Sequence, residues 1–536
     1  MVDKNTSGKS ETVILYPPGQ GLKINRVFTQ QGKNPLEGEY DLRTSIIRNR
    51  DGSTVFELKN IEVPKNWSQV ATDILAQKYF RKAGVPQFNS DGSPLLDANG
   101  NQVLGSETSA KQIVKRLAAC WRHWGEKYGY FASTEEDGQA FEDEITYMLI
   151  NQIASPNSPQ WFNTGLANSY NILGTPQGHY YVDPATQELK QAEDSYSRPS
   201  AHACFIQSVK DDLVNEGGIF DLVVRETRVF KYGSGTGSNF SNLRGKGEKL
   251  SGGGTSSGLM SFLKIFDRAA GAIKSGGTTR RAAKMVIVNA DHPEIEDYIL
   301  WKVQEEAKVA DLYTGSRRIS THLNKVMKIS HENKTINWKE NDKLKNAIID
   351  AIADDVPFTL INRALQLVEQ NVEKYDSDVF DMHYEGTAYQ TVSGQNSNNT
   401  VRVPNAFMDA AMEGGYWNLT SRTNGQTMKR LKASELFDKI AFAAWACADP
   451  GLQFDDAIQE WHTCPVDGRI NASNPCSEFL FLDDSACNLA SINLIKFLNE
   501  KTGIFEVDKF IHATRLWTIV LEISILMAEF PSKEIA

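Results

Sequence analysis

The first clear alternation of apolar and polar positions flanks Asp51-Gly52, between Ile46-Ile47 and Val55-Phe56. Side chains of an extended chain point to two faces in turn, and Asp-Gly suits a tight turn, so the pattern predicts a β-hairpin that Pro64 closes. Beyond it the spacing becomes helical. One helix is predicted from about Ser68 to Lys82, stopping at Gly84-Val85-Pro86. The stretch 87–108, with Asp91-Gly92 and Asn99-Gly100, reads as a linker or a further hairpin. Two helices follow near 109–124 and 135–153. Ser133 with Glu136 forms a capping-box start for the second, whose apolar face is Phe141, Ile145, Met148 and Leu149.

From Pro156 strands and helices take turns. Cys204-Phe205-Ile206 reads as a short strand, Gly218 to Phe230 as a helix, and Gly233 to Gly237 as a glycine-rich loop leading into Asn239-Phe240-Ser241. A helix near 257–273 is expected to bury Leu259, Phe262, Phe266 and Ile273; Lys284 to Val288 is a strand, and Pro293 opens another helix. This alternation predicts an α/β architecture with largely parallel strands. The segment 316–390 is charged and helical in part, and a helix near 433–447 precedes Asp449-Pro450-Gly451. The last helix, Phe510 to Phe530, is apolar on most sides, as a covered helix is, and the chain stops six residues later. The expectation is a C-terminal part beyond Ala536 that covers it. Residues 1–20, polar and carrying Pro17-Pro18-Gly19, read as a flexible leader. The expected organisation is therefore leader 1–20, a hairpin-and-helix domain 21–155, and a catalytic α/β part 156–536.

Composition narrows the class. A chain of 536 residues can bury a large core, and 40% hydrophobic with 23% charged residues is the balance of a soluble globular protein. No apolar run approaches membrane-spanning length, and the start does not resemble a signal peptide, so no membrane partner is expected. A net charge of −10 without a basic stripe argues against a nucleic-acid polymer as partner, although nucleotides need only a local phosphate site. Six cysteines in so long a chain are not a secreted disulfide framework and point to the reducing cytoplasm. Cys120 lies in a helical stripe with Ile113, Leu117 and Trp124, and Cys447 in one with Leu436, Ile440 and Ala444; both read as inert buried thiols.

Chemistry concentrates between Asn471 and Asn493. Asn474, Cys476 and Glu478 stand two residues apart, so in an extended segment all three would share a face. That face offers a sulfur-centred reactant, a proton acceptor and an orienting amide. By itself the spacing favours a buried or incidental thiol. Cys487 follows eleven residues after Cys476, beyond Phe479-Leu480-Phe481-Leu482, which reads as a buried strand. Cys464, Cys476, Cys487 and His462 are zinc-type ligands, but their irregular spacing and the lack of a close Cys-x-x-Cys pair assign no metal. The Gly233–Gly237 stretch follows a helix and precedes a strand, the reverse of a dinucleotide fingerprint. Arg280-Arg281 behind Gly276-Gly277-Thr278-Thr279 fits either an anion site or a solvated turn.

Asn474-Pro475-Cys476-Ser477-Glu478, with Ala486-Cys487-Asn488-Leu489-Ala490-Ser491-Ile492-Asn493 behind it, resembles the finger loop of ribonucleotide reductases. Pro156–Asn163, Ala203-Cys204-Phe205, Lys231–Gly237, Ser275–Arg281 and Ser393–Asn399 match the same family in the same order, in wording nearest the adenosylcobalamin-dependent class II enzymes. The resemblance implies a ten-stranded α/β barrel that reduces ribonucleoside di- or triphosphates to deoxyribonucleotides. It implies that Cys476 becomes a transient thiyl, Glu478 acts as general base, and Asn474 holds the ribose hydroxyls. It makes Cys204 and Cys487 the redox pair, where the residues alone leave Cys204 a strand-core position. Substrate would lie against Ser158, Ala203, Cys204, Gly235, Asn474, Pro475, Cys476, Ser477 and Glu478. Asp211 would read a deoxynucleotide effector at a homodimer interface, with loops near Arg244–Gly254 and Gln304–Gly315 as relays; Asp211-Asp212 equally reads as a cap for the next helix. Adenosylcobalamin and a thioredoxin-like reductant complete the implied set, and no motif marks the cobalamin contacts. Two alternatives stay open: a class I large subunit served by a separate metal protein, and an inactive nucleotide-binding fragment.

Overall fold

A computed structural model describes residues 20–48, 52–89, 91–273, 282–383 and 386–536. The expected leader, bar its last residue, and the Arg280-Arg281 anion site lie outside them. The strands used below are β1 (Tyr40–Arg48), β2 (Thr54–Pro64), β3 (Ala154–Pro156), β4 (Cys204–Ile206), β5 (Gly235–Asn239), β6 (Ala283–Asn289), β7 (Asn398–Val403), β8 (Gly451–Phe454), β9 (Ala472–Ser473), β10 (Leu480–Phe481), β11 (Ser485–Cys487) and β12 (Ala490–Ile492). The helices are α1 (Gln69–Ile74), α2 (Ala110–Lys127), α3 (Gln139–Ile150), α4 (Ser158–Asn163), α5 (Ile219–Lys231), α6 (Leu259–Ala272), α7 (Ile295–Asn333), α8 (Asp342–Ala353), α9 (Phe358–Glu369), α10 (Ala433–Cys447) and α11 (Val507–Met527). The chain divides into two compact units, one of residues 1–242, 269–287 and 457–536, the other of 243–268 and 288–456.

In the first unit β1 and β2 form the expected antiparallel hairpin, with Ile47 opposite Phe56. The helix expected over Ser68–Lys82 is in two pieces. Ser68 caps α1 by accepting from the Ala71 N–H, and the chain then widens into a π-helical turn, Leu75–Tyr79, before Phe80 becomes extended. Ser109 and Gln112 form a reciprocal capping box that starts α2, and Ser133 accepts from the Glu136 N–H ahead of α3. The predicted stripes are buried: Ile113, Leu117, Cys120 and Trp124 on α2, and Phe141, Ile145, Met148 and Leu149 on α3.

Helix α11 adds Leu516, Trp517, Val520, Ile523 and Met527 to this core, with Trp517 edge-on to Trp121 at 5.9 Å. Each large apolar side chain buried this way is worth about 1.5–3 kcal/mol. At 21 residues α11 is long and apolar enough to cross a membrane, which the reading by apolar runs misses because Arg515 and Glu522 interrupt it. Its buried face belongs to the core just described. A buried ion pair, Arg116 Nε to Glu107 Oε1 at 2.9 Å, lets Arg116 also donate to the carbonyls of Trp161 and Thr164, which fixes the turn of α4.

The sheet of this unit runs β11-β4-β5-β6. β4, β5 and β6 are parallel, with Cys204 opposite Gly235 and Gly235 opposite Ala283, and β11 is antiparallel to β4. In the second unit β7 and β8 are parallel, with Thr400 opposite Gly451. The parallel expectation holds for these strands. Among the described residues the sheets are open, and no closed barrel is formed.

Two sequence expectations are corrected. Gln304–Gly315 is not a loop but lies inside α7, a helix of 39 residues, because Gln304-Glu305-Glu306-Ala307-Lys308 is a run of good helix formers with no breaker. On α6 the buried stripe is Leu259, Leu263, Phe266 and Ala270, while Phe262, and Ile273 just past the helix end, are half-buried. The 316–390 segment is helical in part, as expected. There α7, α8 and α9 share a core of Leu323, Val326, Met327, Leu344, Ile348, Ile361 and Leu365.

Candidate functional site

The glycine-rich stretch expected as a loop is largely strand β5. The Gly235 N–H donates to the Ala203 carbonyl at 2.9 Å, and the Gln207 N–H to the Gly237 carbonyl at 3.0 Å. Alternate residues of a strand share a face, and here that face is glycine at 235 and 237. A Cβ on Gly235 would stand 2.7 Å from Pro475 Cγ, and one on Gly237 only 1.8 Å from the Ser473 carbonyl oxygen. The glycines therefore admit the backbone of the 471–482 segment against the sheet. The role of Gly237 is the residue-level feature that motif reading overlooked, and its signal was glycine at a spacing of two.

That segment is a hairpin. Ala472 and Ser473 of β9 pair with Phe481 and Leu480 of β10. The connection is a turn closed by Asn474: its N–H donates to the Phe479 carbonyl at 3.0 Å, its carbonyl accepts from the Ser477 N–H at 3.1 Å, and its Oδ1 accepts from the Phe479 N–H at 3.1 Å. Ser477 takes a left-handed φ of +62°. The extended conformation expected from Asn474 to Glu478 is thus not formed. The Asn474 side chain offers the backbone a partner that competes with the strand ladder. Alternation fails with it. Asn474 and Pro475 are buried, while Cys476 and Glu478 stand exposed at the tip. Phe479 and Phe481, stacked at 5.7 Å, are half-buried rather than fully covered, and pack on Ile206, Met285 and Ile287.

One atom of this turn is unmet. Asn474 Nδ2 is buried without a hydrogen-bond partner among the described residues. Leaving such a donor unsatisfied costs about 1–3 kcal/mol, so it is poised for an incoming acceptor.

Cys487 lies directly across the β11–β4 ladder from Cys204. Opposed residues of an antiparallel pair have Cα atoms about 4.5–5.5 Å apart, inside the span a disulfide bridges. Both are thiols here. The Cys487 thiol is pushed far above its ordinary value, first by its hydrogen bond with Cys204, then by burial, with the Glu478 charge adding to the rise. The Ala203 N–H donates to the Cys487 carbonyl at 3.1 Å. Ser158, in the first turn of α4, meets the Tyr79 hydroxyl at 3.2 Å. Its neighbour Asn157 donates to Asn488 Oδ1 at 2.9 Å, and β12 pairs with β3, so Ser158 is stitched to the chain just past Cys487. The fold gathers Ala203, Cys204, Gly235, the Asn474–Glu478 turn and Cys487, with Ser158 tied in through Asn157.

Asp211 lies half-buried in the turn segment after β4, outside the hairpin and the β4–β11 pair. The capping alternative is not formed: neither Asp211 nor Asp212 caps α5, whose N-cap is Gly218 with no side-chain hydrogen bond. The Asp212 carboxylate serves the N–H groups of Val214 and Asn215, while Gly218 stands at the start of α5. Burial pushes the Cys120 thiol up to about 12, which keeps it inert at neutral pH. Cys447 is half-buried rather than buried, its sulfur against the Ala443 and Asp449 carbonyls. His462 spends one ring nitrogen on the Gly468 carbonyl at 3.0 Å and the other on the Cys464 N–H at 3.4 Å. Among the described residues no three His, Cys, Asp or Glu side chains cluster as metal ligands would.

A family model described as "Ribonucleotide reductase, barrel domain" matches residues 202–536, and one described as "Class II vitamin B12-dependent ribonucleotide reductase" matches residues 41–152. Proteins named vitamin B12-dependent ribonucleotide reductase are similar along most of the chain. That of Agrobacterium fabrum is 54% identical, over 96% of this chain and 42% of its own length. That of Bradyrhizobium diazoefficiens is 55% identical, over 96% and 43%. That of Streptomyces avermitilis is 38% identical, over 96% and 42%. The chain spans less than half the length of these relatives. The class II match decides against the class I large subunit. With the motifs and both matches in agreement, the chain belongs to the ribonucleotide reductase family.

Proposed function

We propose that this chain carries the thiyl and redox-cysteine centre of a class II reductase that converts ribonucleoside di- or triphosphates to 2′-deoxyribonucleotides for DNA synthesis. The observation that supports it most is the placement of three thiols: Cys204 and Cys487 face each other across a ladder, and Cys476 is exposed on a turn that also holds an unmet buried amide.

Adenosylcobalamin, when bound, supplies an organic radical by homolysis of its cobalt–carbon bond. The residues fit such a partner, because Cys476 is an exposed residue at the tip, with Ser477 and Glu478 beside it. The Cys476 thiyl takes the 3′-hydrogen of the ribose. Glu478 accepts the 3′-hydroxyl proton, and the free Nδ2 donor of Asn474 holds a ribose hydroxyl oxygen. The 2′-hydroxyl leaves as water with a proton from the thiol pair. Cys204 and Cys487 give up two electrons and two protons in all on forming a disulfide. One proton leaves in the water, and the other, with the electrons, becomes the new hydrogen at C2′. Glu478 returns its proton to the 3′-oxygen, and Cys476 returns the hydrogen to C3′. Ala203, Cys204, Gly235 and Ser158 line the substrate with the Asn474–Glu478 turn, Pro475 and Ser477 included. The full reading adds the family's ten-stranded barrel over 156–536, an N-terminal β-hairpin and helical domain over 21–155, a deoxynucleotide effector at Asp211, a homodimer, a thioredoxin-like reductant and a cytoplasmic location.

The test is conversion of a labelled ribonucleotide in the dark with adenosylcobalamin and a dithiol and without any iron protein, in parallel with Cys476→Ala. Product that needs the cobalamin and is absent in the variant is expected. Product without cobalamin, or an equally active variant, would sink the reading; nucleotide binding with no turnover in the full-length protein would favour the inactive-fragment alternative.

A further inference from the structure

The ladder that sets Cys204 against Cys487 is three residues long on each strand, Cys204–Ile206 and Ser485–Cys487. So short an antiparallel pair fixes its own register weakly, and a slip of one residue turns every side chain to the other face. A slip would carry the Cys487 sulfur away from Cys204. Something beyond the ladder must hold it.

The end of the ladder remote from the thiols carries such a device. Asp484 sits at φ +57°, a region that residues other than glycine seldom adopt. Its carboxylate receives two hydrogen bonds from one residue across the pair: the Ser208 N–H donates to Oδ1 at 3.1 Å and the Ser208 hydroxyl to Oδ2 at 2.6 Å. Arg225 of α5, almost wholly buried, reaches Asp484 Oδ1 at 3.4 Å through Nη1 and donates to the Ser208 carbonyl at 3.0 Å through Nη2. Arg225 is itself aligned by Asp221, Nε to Oδ2 at 3.0 Å. The segment leaving β4 and the segment entering β11 are thereby fastened to each other and to one helix. The fastening lies four residues after Cys204 and three before Cys487.

We propose that Asp484, with Ser208 and Arg225, is a register clamp that positions the Cys204–Cys487 pair and sets how readily the two thiols close to a disulfide. The proposal rests on reading those cysteines as the reductant pair. Asp484 acts through the ladder and is a positioning residue. Closure joins the two sulfurs, releases two protons and passes two electrons to an oxidised dithiol, whose own S–S bond opens to two thiols.

The experiment equilibrates the full chain, Asp484→Asn and Ser208→Ala with mixtures of oxidised and reduced dithiothreitol. Thiols are then alkylated, and the Cys204–Cys487 linkage is read by mass spectrometry, with thermal unfolding measured alongside. Asparagine tolerates a positive φ, so Asp484→Asn removes the charge while sparing the turn. The expected result is an equilibrium constant for closure about tenfold lower in Asp484→Asn, about 30 mV for this two-electron couple. Ser208→Ala shifts it the same way by less, with parental unfolding. Unchanged constants in both variants overturn the clamp and leave the redox pair standing. A parent chain that forms no Cys204–Cys487 disulfide at any ratio overturns the pair reading and the clamp together. If Asp484→Asn does not fold, Ser208→Ala decides alone, and an unchanged constant there overturns the proposal.

Discussion

The α7–α9 cluster and the hairpin of β9 and β10 show two ways of spending sequence. In the helical cluster Leu323, Val326, Leu344, Ala347, Ile348 and Ile361 are all buried at helical spacing, and Asn341 caps α8 by accepting from the Leu344 N–H. Local propensity, pattern and packing agree there, which is what makes an element stable and leaves it without chemistry. The hairpin has strands of two residues, a serine at positive φ, a buried amide nitrogen with no hydrogen-bond partner among the described residues and an exposed thiol. It sits against the sheet because β5 offers glycine at two positions beneath it. Consistent packing sits in one region, and the exposed thiol and unmet amide nitrogen in the other.

Mutations should separate the two. The largest effect on turnover is expected at Gly237→Ala, because the atom in the way at 1.8 Å is a backbone carbonyl that cannot rotate aside. Overpacking of this kind costs about 1–3 kcal/mol, and it should unseat the hairpin and abolish turnover. Circular dichroism with the dark turnover assay checks this, and a fully active Gly237→Ala would contradict the close approach. Next comes Leu344→Ala, a fully buried side chain in the helical cluster. It should cost about 2–5 kcal/mol by urea unfolding and leave the Cys204–Cys487 redox equilibrium unchanged. A shifted equilibrium there would show that the two regions are not independent.

The effect confined to the narrowest conditions is a pH dependence at alkaline pH. The folded chain raises the Cys120 pKa to about 12, so it holds that proton more tightly than the unfolded chain does. The contribution is complete below about pH 8.5, the unfolded value, and declines as pH rises toward the folded one, by about 1.4 kcal/mol per unit at most. Between pH 8.5 and 11 the parent should therefore lose urea stability more steeply than Cys120→Ala. Parallel slopes would remove the effect.

The same contrast explains what could be read from the chain alone. The helices of the first unit were legible because burial at Ile113, Leu117 and Cys120, or at Phe141, Ile145 and Met148, repeats with the helical period. The β1–β2 hairpin was legible from Asp51-Gly52 between alternating strands. Their extents were less so: the π-turn after Ile74 and the continuation of α7 through Gln304–Gly315 leave no mark in apolar spacing. In the candidate site the residue types were legible and the geometry was not. Alternation put Asn474, Cys476 and Glu478 on one face, whereas the Asn474 side chain folds the segment into a turn and leaves only Cys476 and Glu478 exposed. The pairing of Cys204 with Cys487 joins strands some 280 residues apart, and no local pattern encodes a register between them.

The most direct test of the central reading is a single turnover of the full-length protein, with cobalamin and substrate but no external reductant. After quenching and alkylation, the cysteines are mapped by mass spectrometry. One Cys204–Cys487 disulfide formed per deoxynucleotide, with Cys476 recovered as an alkylated thiol, is the predicted outcome. Deoxynucleotide formed while Cys204 and Cys487 both remain alkylatable would contradict it, because the two electrons would then have come from elsewhere.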